Sequence, residues 1–148
     1  MNASKATNIT YTLLRIVAGL LFVHTGGLIL FGWFGGMPGG MPSPPPLLSQ
    51  TGIGGILEFF GGVAITLGIC TRPVAFVMSG MMAVAYWQFH APSSPWPAQN
   101  QGMPAILLCF IYLHLAACGP GDWSLDALWQ RRRASPPAPT PAVDEPPR

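Results

Sequence analysis

Four long apolar stretches, separated by short polar or Gly/Pro-rich segments, set the pattern of this chain. They run over about residues 9–31, 52–70, 73–90 and 103–118. Each is close to the ~20 residues that an α-helix needs to cross a hydrocarbon core of ~30 Å. The pattern therefore predicts an all-α integral membrane protein, built as a four-helix transmembrane bundle.

The segments between the apolar stretches predict where the helices end. Residues 35–50 and 91–102 contain no charged side chain and are rich in proline, which cannot continue a helix. The sequence GPG at residues 119–121 stops the fourth stretch. These segments predict two uncharged loops on one side of the membrane.

The region after the fourth stretch differs in character. Asp122 or Ser124 can cap a short helix whose tryptophans suit the headgroup interface. We therefore expect one membrane domain over residues 1–130 that ends in a short interfacial helix. Residues 131–148 are basic and then Pro-rich, which predicts a cytoplasmic tail whose Pro/Ala-rich part, residues 134–148, is disordered.

Composition indicates that lipid is the solvent of most of this surface. Only 8% of the 148 residues are charged, whereas soluble domains carry about 25%. The formal net charge of +2 is too small to indicate a nucleic-acid partner. The three cysteines have no spacing typical of metal ligands, so no metal site is predicted.

The positions of the basic residues predict the orientation. Four spans would put both termini and the turn near residues 70–72 on the same side. Neither of the two loops on the other side contains Lys or Arg. The positive-inside rule then gives a multi-pass protein of the inner (cell) membrane with both termini in the cytoplasm. The basic residues on the inner side are Lys5, Arg72, Arg131, Arg132, Arg133 and Arg148.

A single carboxylate, Glu58, lies inside the second apolar stretch. On a helix with 100° per residue, four glycines of this stretch fall within roughly 60° of Glu58. Small residues allow membrane helices to approach closely, so this face should meet other helices. Ionisable groups inside a membrane mark functional sites by default. The alternative is that Glu58 is a hydrogen-bonding strut between helices.

Further polar residues could share a site with Glu58. His24 of the first stretch lies at about the same depth by helical rise, so the two form a candidate proton-transfer pair with a catalytic role. Four more residues are candidates for substrate binding. The alternatives are that the arginine near a helix end extends its charge to the headgroups, and that the helix-end histidine only lies at the membrane interface. The four candidates are Arg15, Tyr86, His90 and Asn100.

Several of these landmarks, in this order, resemble the DoxX family of small bacterial and archaeal membrane proteins. Two departures are visible: Leu28 to Leu30 replace a Gln-Lys that many relatives carry, and Met103 replaces the acid of their Asn-Gly-Gly-Glu. The matching stretches are LLRIVAGLLFVHTGG (13–27), LFGWFGG (30–36), EFFGGVAITLGICTR (58–72), AYWQFH (85–90) and GPGDWSLDAL (119–128).

The resemblance implies a four-helix membrane bundle and a link to redox chemistry. The family takes its name from a membrane subunit of an archaeal quinone-linked sulfur-oxidising enzyme, and some relatives are tied to thiol and oxidative-stress systems. It implies an accessory subunit of a quinone-linked oxidoreductase, with quinone as the candidate cofactor. Because the chain has no flavin, iron–sulfur or c-haem motif, the electrons would come from a redox partner protein; a homo-oligomer is the other partner expected.

Other interpretations stay open. The chain could be a non-catalytic scaffold or assembly partner whose polar residues only hold the bundle together, and the two departures from the family pattern favour this. A haem-binding bundle is disfavoured because His24 and His114 are offset by roughly 6 Å along the helices. A solute transporter is disfavoured because no inverted repeat is evident.

Overall fold

A computed structural model describes residues 3–37 and 44–134, and within these ranges it contains helices and turns but no β-strand. The predicted all-α class is therefore confirmed. The predicted disordered tail falls almost wholly on residues outside the described ranges. The helices are α1 (Ala3–Phe31), a short 3₁₀ turn (Trp33–Gly35), α2 (Gln50–Leu67), α3 (Thr71–Ala85), a π-helical turn that continues it (Tyr86–His90), α4 (Met103–Cys118) and α5 (Leu125–Ala134).

Local signals explain the ends of α2. Ser49 caps its N-terminus, because the Ser49 side chain accepts a hydrogen bond from the backbone N–H of Gly52. Gly68 ends the helix in the left-handed conformation, with φ of 71°. The helix therefore stops before the predicted limit at residue 70.

A residue of another helix caps the start of α3. Thr71 is the first residue of this helix, and Cys70 occupies the cap position. The Cys70 side chain makes no capping bond. Asp126 of α5 supplies the acceptors instead, since its two carboxylate oxygens accept hydrogen bonds from the backbone N–H groups of Cys70 (3.0 Å) and Thr71 (3.1 Å).

The first four helices pack in antiparallel succession. Gly62 of α2 lies against the backbone of α1 at Gly19, and a side chain at either position would collide with the other helix. Helix α3 packs against α4, where the Ser79 hydroxyl donates to the Cys109 carbonyl at 2.8 Å. Helix α4 also packs against α1, where the Tyr112 hydroxyl donates a hydrogen bond to the Ala18 carbonyl at 2.8 Å.

The core lies where these four helices meet. Every helix from α1 to α4 contributes to it, and Phe22 and Tyr112 place their rings 4.7 Å apart at its centre. The buried apolar residues of this cluster are Ala18, Phe22, Ile65, Ala75, Met78, Met82, Ala105, Tyr112 and Leu115.

Length and apolar character differ among the helices. Two of them are long and apolar enough to cross a bilayer, Ser4–Phe31 and Gln50–Leu67. Met103–Cys118 is apolar but shorter. Large apolar side chains such as Phe60, Phe76 and Phe110 point outward and are more than half exposed.

Helix α5 lies across the end of the bundle where α2 finishes and α3 begins. Ser124, one of the two predicted caps, is the one that accepts from the backbone N–H of Ala127. Arg15 of α1 is 1% exposed and donates to the carbonyl oxygens of Ile65 (3.3 Å) and Trp123 (2.6 Å). Arg15 thereby joins the C-terminal end of α2 to the segment that leads into α5.

Candidate functional site

A cavity of about 910 Å³ lies among the four helices, towards the N-terminal end of α2. Its wall is mostly apolar: α1 contributes Phe22 and Ile29, and α4 contributes Ala105 and Leu108. The polar side chains in this wall are Thr25, Gln50, Thr51, Glu58 and His90. Within the described residues, Glu58 is the only acid that lines the cavity.

The glycines of α2 explain why Glu58 faces this cavity. Gly55 and Gly62, seven residues apart, press against α1. Gly61 faces Met78 of α3, and a side chain at Gly54 would meet no atom within 4 Å. Gly54 and Glu58, four residues apart, therefore share the stripe that opens into the cavity.

The Glu58 side chain is partly buried and incompletely paired. Its Oε2 atom is inaccessible to solvent and has no hydrogen-bond partner in the described part of the chain. A buried carboxylate oxygen without a partner is costly, because the desolvation of the group is not repaid. The geometry thus presents an acceptor, or a protonated donor, to whatever fills the cavity.

His90 reaches the rim of the same cavity from the π-helical turn. Its Nδ1 atom lies 3.0 Å from the backbone carbonyl of Asn100. A carbonyl oxygen can only accept, so we assign the proton to Nδ1, which leaves Nε2 as the lone-pair nitrogen of the neutral ring. π-helical turns inside α-helices occur often at functional sites.

Tyr86 and Asn100 support His90 and do not line the cavity. The Tyr86 ring stacks on the His90 ring with 6.4 Å between centroids. The Asn100 side chain accepts from the N–H of Gly102 (2.7 Å) and donates to the Ser94 carbonyl (2.8 Å). Asn100 therefore fixes the loop whose own carbonyl holds the imidazole.

The structure does not bring His24 to Glu58. His24 is exposed and stacks on Phe34 with ring centroids 5.5 Å apart. The next residue, Thr25, is the one that lines the cavity, because one residue turns a helix by 100°. Equal depth is necessary for a contact between two side chains, but it does not determine the direction in which each side chain points.

Arg15 also lies outside the cavity wall, at the other end of the helices with the α5 segment. Most of the cavity wall was not identified from the sequence, including Thr25, Gln50 and Leu57. The spacing of Phe22, Thr25 and Ile29 on one helical face could have identified Thr25.

The cavity opens sideways between α2 and α3. Ile53, Val77, Val84 and Phe89 line it and are also substantially exposed on the outer surface of the helices. At this opening the Gln50 side-chain amide donates to the Gln88 side-chain oxygen and joins the two helices. In the described residues no cluster of His, Cys, Asp and Glu could hold a metal ion.

Comparison with known proteins finds a matching family and related bacterial proteins. The DoxX family matches residues 10–91, which include Glu58 and His90. An uncharacterised protein of Haemophilus influenzae is 31% identical over 118 residues, which cover 76% of this chain and 85% of that protein. The inner membrane protein YqjF of Escherichia coli K12 is 28% identical over 136 residues, which cover 86% of this chain and 98% of YqjF.

No solved structure matches the chain significantly. The family match nevertheless spans more than half of the chain. The similarity to the Haemophilus protein covers a longer stretch, 118 residues. The chain therefore belongs to the DoxX family of membrane proteins.

Proposed function

We propose that this protein is an inner-membrane accessory subunit of a quinone-linked redox system, and that its cavity binds the quinone. In this proposal α1 to α4 are four transmembrane helices, with both termini in the cytoplasm. The observation that carries the ligand assignment is the buried, unpartnered Oε2 of Glu58 in an otherwise mostly apolar cavity.

Three observations support the membrane placement. Large apolar side chains are exposed around the helices, where lipid would contact them. The related YqjF is named an inner membrane protein. In the described part of the chain, the basic residues near helix ends lie at the end of the bundle where α5 packs, as the positive-inside rule requires of a cytoplasmic face; they are Lys5, Arg72, Arg131, Arg132 and Arg133.

The size and wall of the cavity suit a quinone. Small-molecule sites have volumes of roughly 300–1,000 Å³, with apolar walls and a few convergent polar groups. The apolar residues would hold the ring and tail, while Glu58 and His90 would meet the oxygens of the head. The sideways opening between α2 and α3 gives a lipid-soluble ligand a path from the bilayer.

The chemistry of the two polar residues fits this ligand. A bound quinone carries electrons together with protons. Glu58 can hold or release a proton inside the cavity, and Nε2 of His90 can accept one at the rim. The electrons would come from a redox partner protein. The predicted proton-transfer role of His24 would require a rotation of its side chain towards the cavity.

A purely structural role for Glu58 has less support. In a carboxylate that holds helices together, both oxygens should accept hydrogen bonds from a neighbouring helix. Oε2 has no such bond in the described residues, and the Glu58 side chain faces a cavity that opens to the surface. The scaffold hypothesis predicts instead that removal of the charge weakens the bundle.

The test is the quinone content of protein purified in mild detergent. Wild type should retain quinone in near-stoichiometric amounts, and Glu58→Gln should retain about ten- to a hundredfold less at equal quinone concentration. That range corresponds to the ~1.5–3 kcal/mol of a hydrogen bond to a charged group. The thermal midpoint of unfolding is measured on the same samples.

His24→Gln is the matched control, because it changes a polar residue at similar depth that does not line the cavity. Its quinone content should equal that of the wild type; a loss equal to that of Glu58→Gln would restore the predicted pair. Absence of quinone from the wild type, with Glu58→Gln less stable than wild type, would overturn the ligand proposal in favour of the scaffold.

A further inference from the structure

A second groove lies at the opposite end of the helices from the Glu58 cavity, between α5 and the turn that joins α2 to α3. Its volume is about 360 Å³. The floor and sides combine four apolar residues with one acidic and one basic residue. The lining residues are Ile69, Leu125, Asp126, Leu128, Trp129 and Arg132.

The apolar part of this groove is open to the outside. Leu128 and Trp129 are 51% and 61% exposed, and Ile69 and Leu125 are also exposed. Nearby, Trp123 is 66% exposed just before α5. Such a surface at the end of a bundle of membrane helices lies where headgroups meet acyl chains, the depth at which tryptophan is enriched.

The basic residue of the groove is more exposed than its acid. Both carboxylate oxygens of Asp126 accept hydrogen bonds from the backbone N–H groups that begin α3, so its charge is partly balanced by the positive end of that helix. Arg132 is exposed and faces the same groove. Arg133 lies beside it, with its guanidinium carbon 4.4 Å from the centre of the Trp129 ring.

We propose that this groove binds an acidic phospholipid of the adjacent leaflet. The phosphate lies against Arg132, and the upper part of the acyl chains lies on Ile69, Leu128 and Trp129. An acidic lipid is the occupant that matches both features, because its headgroup complements the arginine and its chains cover the apolar side chains. A soluble anion would leave the apolar surface uncovered.

The lipid would also stabilise the fold locally. Asp126 connects α5 to the start of α3, and Arg15 connects α1 to the segment before α5. A lipid seated across Ile69 and α5 would hold these elements together from outside. Binding of the lipid should therefore raise the thermal midpoint of unfolding of the whole protein.

The test uses delipidated protein in detergent, titrated with phosphatidylglycerol or with phosphatidylcholine of identical acyl chains. Lipid retention is read by native mass spectrometry and stability by thermal unfolding. Wild type should bind phosphatidylglycerol more tightly and gain more stability from it. Arg132→Gln should weaken this binding about fivefold, the factor expected for one basic residue near a lipid surface.

Arg133→Gln is the matched control, since it removes the same charge from the same helix but does not line the groove. It should keep most of the preference for phosphatidylglycerol, and Arg132→Lys should keep it as well. Equal losses in Arg132→Gln and Arg133→Gln would overturn the groove as the site. Equal binding of both lipids, or equal stabilisation by glycerol phosphate alone, would overturn the acidic lipid as its occupant.

Discussion

The contact between α1 and α2 depends on the absence of a side chain at Gly62. A methyl group added there would lie 2.7 Å from the carbonyl oxygen of Gly19 and 2.7 Å from the backbone nitrogen of Val23. Both atoms belong to the backbone of a helix and cannot rotate away. Since ordinary contact begins at 3.4 Å, Gly62→Ala must push the two helices apart by about 0.7 Å.

We expect Gly62→Ala to lower the free energy of unfolding by about 1–3 kcal/mol, the usual cost of overpacking a well-packed contact. Alanine also favours a helix over glycine by ~1 kcal/mol, which partly offsets this cost. Gly54→Ala is the matched control, because it has the same intrinsic helix gain on the same helix and its methyl group would meet no atom within 4 Å.

The measurement is unfolding of both variants in the same detergent, followed by circular dichroism. The difference between Gly62→Ala and Gly54→Ala removes the helix propensity and leaves the packing cost. Gly62→Ala should be the less stable of the two, with Gly54→Ala at or above the stability of wild type. Equal stability of the two variants would refute the close α1–α2 contact that orients Glu58 towards the cavity.

Two further substitutions test the connections at the ends and centre of the bundle. Asp126→Asn should lower the free energy of unfolding by about 1–2 kcal/mol, because the amide keeps one acceptor oxygen for the two N–H groups at the start of α3 and loses the charge. Asp122→Asn, at an exposed position nearby, should change the free energy of unfolding by less than about 0.5 kcal/mol. If chemical unfolding shows a larger loss for Asp122→Asn than for Asp126→Asn, the capping role of Asp126 is contradicted. Tyr112→Phe should cost about 1 kcal/mol by the same assay, since it removes the buried hydrogen bond to Ala18, and an unchanged stability would show that this bond contributes nothing.

Predictions from the sequence were most accurate where local chemistry decides the structure. Proline-rich segments separate helices, and Ser124, one of the two predicted caps, caps α5. Four glycines of α2 were expected to face other helices; all but Gly54, which opens into the cavity, do so. These outcomes follow from backbone freedom and side-chain volume, which the sequence records directly.

Predictions of contacts between helices were less successful because they depend on rotation about each helix axis. His24 and Glu58 have similar depth, yet a turn of 100° puts Thr25 at the cavity and His24 outside it. Arg15 was considered for substrate binding or for snorkelling, whereas it is buried against two backbone carbonyls. No local signal identifies carbonyl groups that belong to distant parts of the chain.

The residue pattern alone was enough to predict an all-α membrane protein, the order of its helices and a carboxylate that faces the inside of the bundle, because hydrophobic length, proline and an isolated carboxylate have the same consequences in any packing. The cavity and the α5 groove depend on the packing itself. Glu58, His90 and Thr25 come from three helices, and Asp126 meets residues 70 and 71 from more than fifty positions away. Such sites exist only after close glycine contacts have fixed how each helix is turned.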